Sequence, residues 1–129
     1  MGAYILADSE GKPDIILIAT GSEVHITLEA GKKLAAEGVS VRVVSMPSWE
    51  LFENASPEYR EKVLLPDVTA RIAVEAGISM GWERYVGSRG AVIGMKGFGA
   101  SAPGETLMEK FGFTPDHIVQ TAMKLLKRA

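Results

Sequence analysis

The chain has 129 residues, enough for one domain with a substantial core, and its 47% hydrophobic and 23% charged residues are ordinary for a soluble protein. Lysine and arginine number 14 against 16 aspartates and glutamates, and this formal net charge of -2 argues against a nucleic-acid-binding protein. The absence of cysteine excludes disulfides, thiolate zinc sites and thiol nucleophiles.

The first segment predicts a short strand and no targeting signal. No apolar run approaches the ~20 residues that span a bilayer, and no basic region precedes the apolar residues after Met1. We therefore expect a cytoplasmic protein. Residues 4–7 are typical of a short strand. The link over residues 8–14 is too short for a parallel crossover, so this strand either is antiparallel to the next one or pairs elsewhere.

The next segment predicts a buried strand that leads into a helix. Residues 15–19 are all apolar, which is typical of a strand covered on both faces. Gly21 permits a sharp turn, Ser22 can cap the helix that follows, and Glu23 places a negative charge on its first turn. In α/β proteins such a helix start is a usual place for an anion or a nucleotide.

The following helix and strand complete a parallel unit. Apolar residues at helical spacing form a stripe at Val24, Leu28, Gly31 and Ala35. Glu29 and Lys33 stand four residues apart in the favourable order for an ion pair. Gly38 ends the helix, and residues 39–45 are rich in the β-branched residues of a strand. Strand, helix and strand in this length predict a right-handed parallel crossover.

The second half of the chain predicts further alternation of helices and strands. Ser56 and Thr114 each precede a proline, the pattern of a hydroxyl cap with proline at the first helical position. The other predicted elements are short helices that start near Ser48 and over residues 80–86 and 103–111, and strands over residues 69–75 and 90–95.

The first candidate site is the helix start at Gly21, Ser22 and Glu23. Its free backbone N–H groups could bind an anion. The alternative, which we favour, is that glycine makes the turn and Ser22 caps its own helix, because every helix start needs a cap. The carboxylate of Glu23 would also repel a phosphate unless it pointed away.

Two other patterns favour structural interpretations. Ser22, His25 and Glu29 form a nominal Ser-His-acid set, but a capping serine lacks the strained setting and oxyanion hole of a nucleophile. We interpret them as a cap followed by a partly solvated His–Glu pair. Residues 97–102 fit the form G-x-G-x-x-A, but no parallel strand is predicted after the next helix. We interpret this segment as a tight loop.

The fourth candidate is Glu75, at the carboxyl end of a strand of the buried type. Its carboxylate could act as a base or bind a ligand hydroxyl group, or it could accept N–H bonds from the turn over residues 76–78, which we favour. We assign no catalytic residue, no cofactor-binding residue and no metal ligand. The possible crevice for an anion or small ligand consists of Gly21, Ser22, Glu23, Glu75 and Gly77.

Several segments, taken in order, carry a family pattern. They are IATGSEV at 18–24, RVVSMPS at 42–48, Tyr59-Arg60, TARIAVEAG at 69–77, Gly81-Trp82 with RYVG at 84–87, GFGASAP at 97–103 and FGFT at 111–114. In this order the chain resembles the C-terminal domain of transketolase from end to end. The resemblance implies a three-layer α/β/α sandwich with a five-stranded mixed sheet in the order 1-3-2-4-5, strand 1 being antiparallel.

The resemblance also implies a function. Transketolases transfer a two-carbon ketol unit between sugar phosphates in the pentose phosphate pathway, using thiamine diphosphate and Mg²⁺ or Ca²⁺. In that family two preceding thiamine-binding domains of a homodimer hold the cofactor, the metal and the substrate phosphate. The resemblance therefore implies that residues 1–129 are a single C-terminal domain without those two domains, and that no cofactor binds to this chain alone.

We expect a domain that supports assembly of a homodimeric enzyme and is inactive alone. Its partners would be the other domains and a second subunit, with no nucleic acid and no membrane. Two alternatives stay open at this point: a regulatory module that binds an anion or a nucleotide, and a protein-docking domain. An exposed apolar patch of several hundred Å² would favour docking.

Overall fold

The computed structural model describes residues 3–9, 11–19, 23–46, 49–75, 86, 90–94 and 114–126. The described strands are β1 (Tyr4–Ala7), β2 (Ile15–Ala19), β3 (Val41–Ser45), β4 (Arg71–Glu75) and β5 (Ala91–Gly94). The described helices are α1 (Glu23–Ala36), α2 (Trp49–Glu53), α3 (Pro57–Val63) and α4 (Pro115–Leu125). The predicted helix over residues 103–111, most of that over 80–86, and the predicted cap at Ser48 lie outside the described residues.

The five strands form one mixed sheet in the order β1-β3-β2-β4-β5. β2 is parallel to both β3 and β4, and β4 is parallel to β5. β1 runs antiparallel to β3. The predicted strand order and antiparallel first strand are confirmed. Of the two placements left open for β1, the structure shows that it pairs away from β2.

The central strand β2 is buried on both faces because helices cover both sides of the sheet. Ile15 and Leu17 belong to one hydrophobic cluster, which includes residues of α1 and α4. Ile16 and Ile18 belong to a second cluster, which includes Phe52 of α2 and residues of α3. The five consecutive apolar residues of β2 therefore serve two cores, as a strand between two helix layers requires.

The buried face of α1 differs from the stripe predicted for it. Its buried residues are Glu23, Thr27, Ala30, Gly31 and Leu34, whereas Ala35 is exposed. Thr27 can lie in the core because its hydroxyl donates a hydrogen bond to the Glu23 carbonyl oxygen at 2.7 Å. At Gly31 a Cβ atom would lie 3.0 Å from Cγ2 of Val43, so glycine lets the helix approach β3 closely.

The predicted helix ends at three positions are confirmed. The Ser56 hydroxyl accepts a hydrogen bond from the Tyr59 backbone N–H, and Thr114 accepts one from His117, each at 3.2 Å. Gly38 has a φ of +84°, the left-handed conformation that glycine adopts readily after a helix.

In the part of the chain that the structure describes, no helix has the length and apolar character needed to span a membrane.

Candidate functional site

The residues predicted to form the crevice follow or flank the carboxyl ends of two central strands, β2 and β4. Ala19 of β2 pairs with Val74 of β4, so the segments that follow these two strands begin side by side. β3 flanks β2 on its other side. The connection that leaves β2 through α1 therefore leads to β3 on one side of β2, whereas β4 lies on the other side of β2. This is a topological switch point, where open α/β sheets bind ligands.

The structure describes the predicted crevice only in part. Gly21, Ser22 and Gly77 lie outside the described residues. The backbone of Glu75 ends β4, where it pairs with Gly94 of β5. Glu23 is the first residue of α1 and is 4% exposed. A ligand crevice formed by these five residues therefore stays a prediction.

Among the described residues at this edge, Glu23 weighs against a bound diphosphate. An anion at a helix start needs N–H donors or cations around it. Glu23 instead places a buried carboxylate in the first turn of α1. The negative charge of a phosphate placed beside this carboxylate would be repelled by it. We therefore derive no cofactor contact from this helix start.

The nominal Ser-His-acid set is not assembled by the described residues. His25 and Glu29 are both exposed on α1, and Ser22 lies outside the described residues. Their exposure is consistent with the predicted solvated His–Glu pair. Catalysis by a Ser-His-acid set requires an enclosed setting, which these two exposed side chains lack. The G-x-G-x-x-A segment over residues 97–102 lies outside the described residues.

A buried arginine forms a cluster that the sequence analysis missed. Arg42, in the middle of β3, is 8% exposed. Its Nε and Nη2 atoms each donate to a carboxylate oxygen of Asp8 at 3.0 Å. Its Nη1 atom donates to the carbonyl oxygens of Lys62 at 2.7 Å and Val63 at 3.2 Å. The available signal was one arginine among the valines of β3, with an acid directly after β1.

This cluster joins three elements by charge-assisted hydrogen bonds. The two-point contact with Asp8 ties the end of β1 to β3. The contacts with Lys62 and Val63 satisfy carbonyl groups at the end of α3, which have no partner within the helix. We therefore assign Arg42 to the framework that holds the edge of the sheet.

Acid should weaken the contact between Asp8 and Arg42. The hydrogen bond from Arg42 holds the pKa of Asp8 below its ordinary value of 3.8. A carboxyl group whose pKa is lowered by folding stabilises the fold above its unfolded pKa and loses that contribution as the pH falls through its folded pKa. We expect the difference in unfolding free energy between wild type and Asp8→Asn to be constant from pH 7 to about 5 and to shrink below pH 3.8.

Urea unfolding of both proteins at pH 7 and pH 3 measures this difference. Asparagine is the matched replacement because it has the shape of the protonated acid. An equal difference at both pH values would contradict the role given to the Asp8 carboxylate.

Other polar contacts also connect elements of the scaffold. Lys33 Nζ lies 2.7 Å from Asp116 Oδ1, so it joins α1 to α4 in addition to standing near its predicted partner Glu29. The Tyr59 hydroxyl donates to the Ala3 carbonyl oxygen at 2.6 Å.

Among the described residues, no group of three or more histidines, aspartates and glutamates could hold a metal ion.

A cavity of about 440 Å³ lies at the opposite edge of the sheet. It is lined by Lys12, Asp14, Asp67, Leu125 and Leu126, among others. These residues surround the amino ends of β2 and β4, where the Ile16 N–H donates to the Ala70 carbonyl oxygen. Ligands of open α/β sheets bind outside the carboxyl ends, so this cavity is not the predicted crevice.

The family model for the Transketolase-like TK C-terminal domain matches residues 2–114. The chain belongs to this family. The resemblance in the sequence motifs is thereby confirmed over most of the chain.

Individual relatives agree with the assignment. The chain is 58% identical over 125 residues to Transketolase 2 of Escherichia coli (strain K12), a match that covers 97% of this chain and 19% of that protein. The transketolase structure from Leishmania mexicana has a TM-score of 0.88 and 43% identity, and the match covers 98% of this chain and 18% of the other.

A third match is to a shorter polypeptide. A structure described as a split gene transketolase, inactive beta4 tetramer, has a TM-score of 0.68 and 26% identity. The match covers 97% of this chain and 42% of that one. The chain thus spans about a fifth of the length of the curated transketolases that it matches.

Proposed function

We propose that this transketolase C-terminal domain belongs to an enzyme that moves a two-carbon ketol unit between sugar phosphates. The observation that carries the proposal is the match of residues 2–114 to the family model. The 58% identity to Transketolase 2 of Escherichia coli supports the same activity for the whole enzyme. That enzyme would use thiamine diphosphate and a divalent cation, held by its other domains.

The domain's own role is to support assembly of the enzyme. Three observations favour this over a direct role in chemistry. The matched segment is 19% of the length of the Escherichia coli relative. The buried carboxylate of Glu23 opposes a diphosphate at the predicted crevice. The polar contacts of Arg42 and Lys33 join elements of the scaffold to one another. A homodimeric, cytoplasmic enzyme is part of this proposal.

The isolated chain should not catalyse ketol transfer. The assay supplies thiamine diphosphate, Mg²⁺ and a pair of sugar phosphates, with Escherichia coli Transketolase 2 as the positive control. We expect the isolated chain to give the rate of the protein-free mixture, because its proposed role is support. The inactive state in the description of the split-gene relative agrees with this expectation. Turnover that is lost with the chain's own unfolding would contradict it.

A further inference from the structure

Among the described residues, most of the large apolar side chains that are exposed lie on one edge strand of the sheet. Three large hydrophobic residues of the described chain are exposed: Tyr4 by 52%, Leu6 by 46% and Leu51 by 59%. Two of the three lie on β1, the edge strand. A cluster of exposed apolar residues on an edge strand is a feature that proteins usually avoid unless another surface covers it.

A β-bulge shapes this edge. Ile5 pairs with Val44 and Ala7 pairs with Val43, so Leu6 is an extra residue in β1. Bulges at sheet edges re-aim side chains and increase the local twist. Ile5 packs against the second hydrophobic cluster, while Tyr4 pairs with Ser45 and is exposed. The Ile5 side chain therefore anchors β1 to the core, and the side chains of Tyr4 and Leu6 remain exposed.

A groove between β1 and α1 begins at Ala7, the residue that follows Leu6. Its walls include Ala7, Asp8 and Ser9 on one side and Leu28, Lys32 and Ala35 on the other, and its floor includes Val41 and Val43. Its volume is about 280 Å³. Most of its lining residues are apolar, so it can receive a few apolar side chains of a protein.

The groove is preformed by interactions already described. Val43 is 1% exposed and lies against Gly31 of α1, which fixes the floor. Arg42 holds Asp8 through two hydrogen bonds, which fixes one wall. A surface that is ordered before binding loses less conformational entropy when a partner covers it.

The lengths of the relatives suggest one candidate for covering this surface. The family is that of a C-terminal domain, and the chain spans 19% of the Escherichia coli relative, so most of that protein precedes the matched segment. β1 is the first strand of the domain, and Ala3 beside it is fully buried and bonded to the Tyr59 hydroxyl. In a polypeptide of that relative's length, a domain that precedes β1 would be tethered within a few residues of it, at high effective concentration.

We propose that the β1–α1 surface, formed by Tyr4, Leu6, Ala7, Leu28, Lys32 and Ala35, packs against the preceding domain of the same polypeptide. The proposal rests on the proposed function, because it requires a larger enzyme. Leu6 and Tyr4 supply the apolar contacts beside the groove, and side chains of the preceding domain occupy the groove itself.

A hybrid enzyme tests this surface directly. In the hybrid, this chain replaces the matching 125-residue segment of Escherichia coli Transketolase 2. Leu6→Lys places a charge on the proposed interface. Leu51→Lys is the matched control, because Leu51 is a similarly exposed leucine that lies on α2. The readouts are the rate of limited proteolysis at the domain junction, the oligomeric mass, and the melting temperature of each variant in the isolated chain.

We expect Leu6→Lys to be cleaved at the junction at least tenfold faster than wild-type hybrid, with Leu51→Lys unchanged. In the isolated chain, the two variants should change the melting temperature by the same amount. The proposal is overturned if Leu6→Lys is cleaved at the wild-type rate, if Leu51→Lys is cleaved as fast, or if Leu6→Lys dissociates the dimer without faster cleavage. Proteolysis is measured whether or not the hybrid is active, so loss of ketol transfer in the unmutated hybrid counts against the proposed function alone.

Discussion

Replacement of Arg42 by methionine is expected to lower the free energy of unfolding by about 2–4 kcal/mol. Breaking a buried ion pair typically costs about 3–5 kcal/mol, and the cost here is reduced because the Asp8 side chain is 39% exposed and can regain water. The carbonyl groups of Lys62 and Val63 also lose their donor. Methionine keeps the apolar stem, so the measured loss reports the guanidinium contacts.

Urea unfolding at pH 7 measures this loss. Lys62→Met is the matched control, because it removes one positive charge from an exposed side chain next to the same carbonyl groups. Exposed substitutions of this kind usually change stability by less than about 0.5 kcal/mol. Equal losses for the two variants would show that Arg42 contributes only its charge, contrary to the hydrogen-bonded role assigned to it.

Gly90→Ala is expected to destabilise the fold by about 3 kcal/mol. A Cβ atom at Gly90 would collide with the Val86 carbonyl oxygen and would lie 2.6 Å from the Arg71 carbonyl oxygen. Both neighbours are backbone atoms, so a rotamer change cannot relieve the contact, and the start of β5 must move relative to β4. The positive-φ glycines of the described chain are Gly11 and Gly38, so crowding, and not backbone conformation, sets the cost at Gly90.

Gly11→Ala provides the comparison for this variant. Gly11 has a φ of +79° and nothing lies within 4 Å of its added Cβ atom, so its cost of about 1 kcal/mol comes from conformation alone. Thermal or urea unfolding of both variants separates the two effects. A Gly90→Ala protein that is as stable as Gly11→Ala would show that residues 86 and 90 are not packed as described.

Local chemistry was sufficient to predict the main elements. A run of five apolar residues identifies β2 because burial on both faces needs no polar alternation. Ser56 and Thr114 identify helix starts because the cap, the proline and the following N–H group are close in sequence. The order of the strands was implied by the family resemblance, since the residues alone left the partner of β1 undecided.

Long-range polar contacts could not be predicted in the same way. Arg42 and Asp8 are separated by 34 residues, and Lys33 and Asp116 by 83 residues, so only the fold brings them together. Glu23 and Thr27 were missed as core residues because their types favour the surface. Of the predicted crevice, the structure describes Glu23 and the backbone of Glu75, and the roles of the other three residues stay predictions.

We propose that this domain supports a ketol-transferring enzyme whose chemistry resides elsewhere in the polypeptide. The most direct measurement is the ketol transfer rate of the hybrid enzyme, compared with Escherichia coli Transketolase 2 and with the same protein lacking its matching segment. We expect the shortened protein to lose activity and the hybrid to recover at least about a tenth of the parent rate, a deficit of no more than 1.4 kcal/mol. A folded hybrid that stays as inactive as the shortened protein would contradict the account.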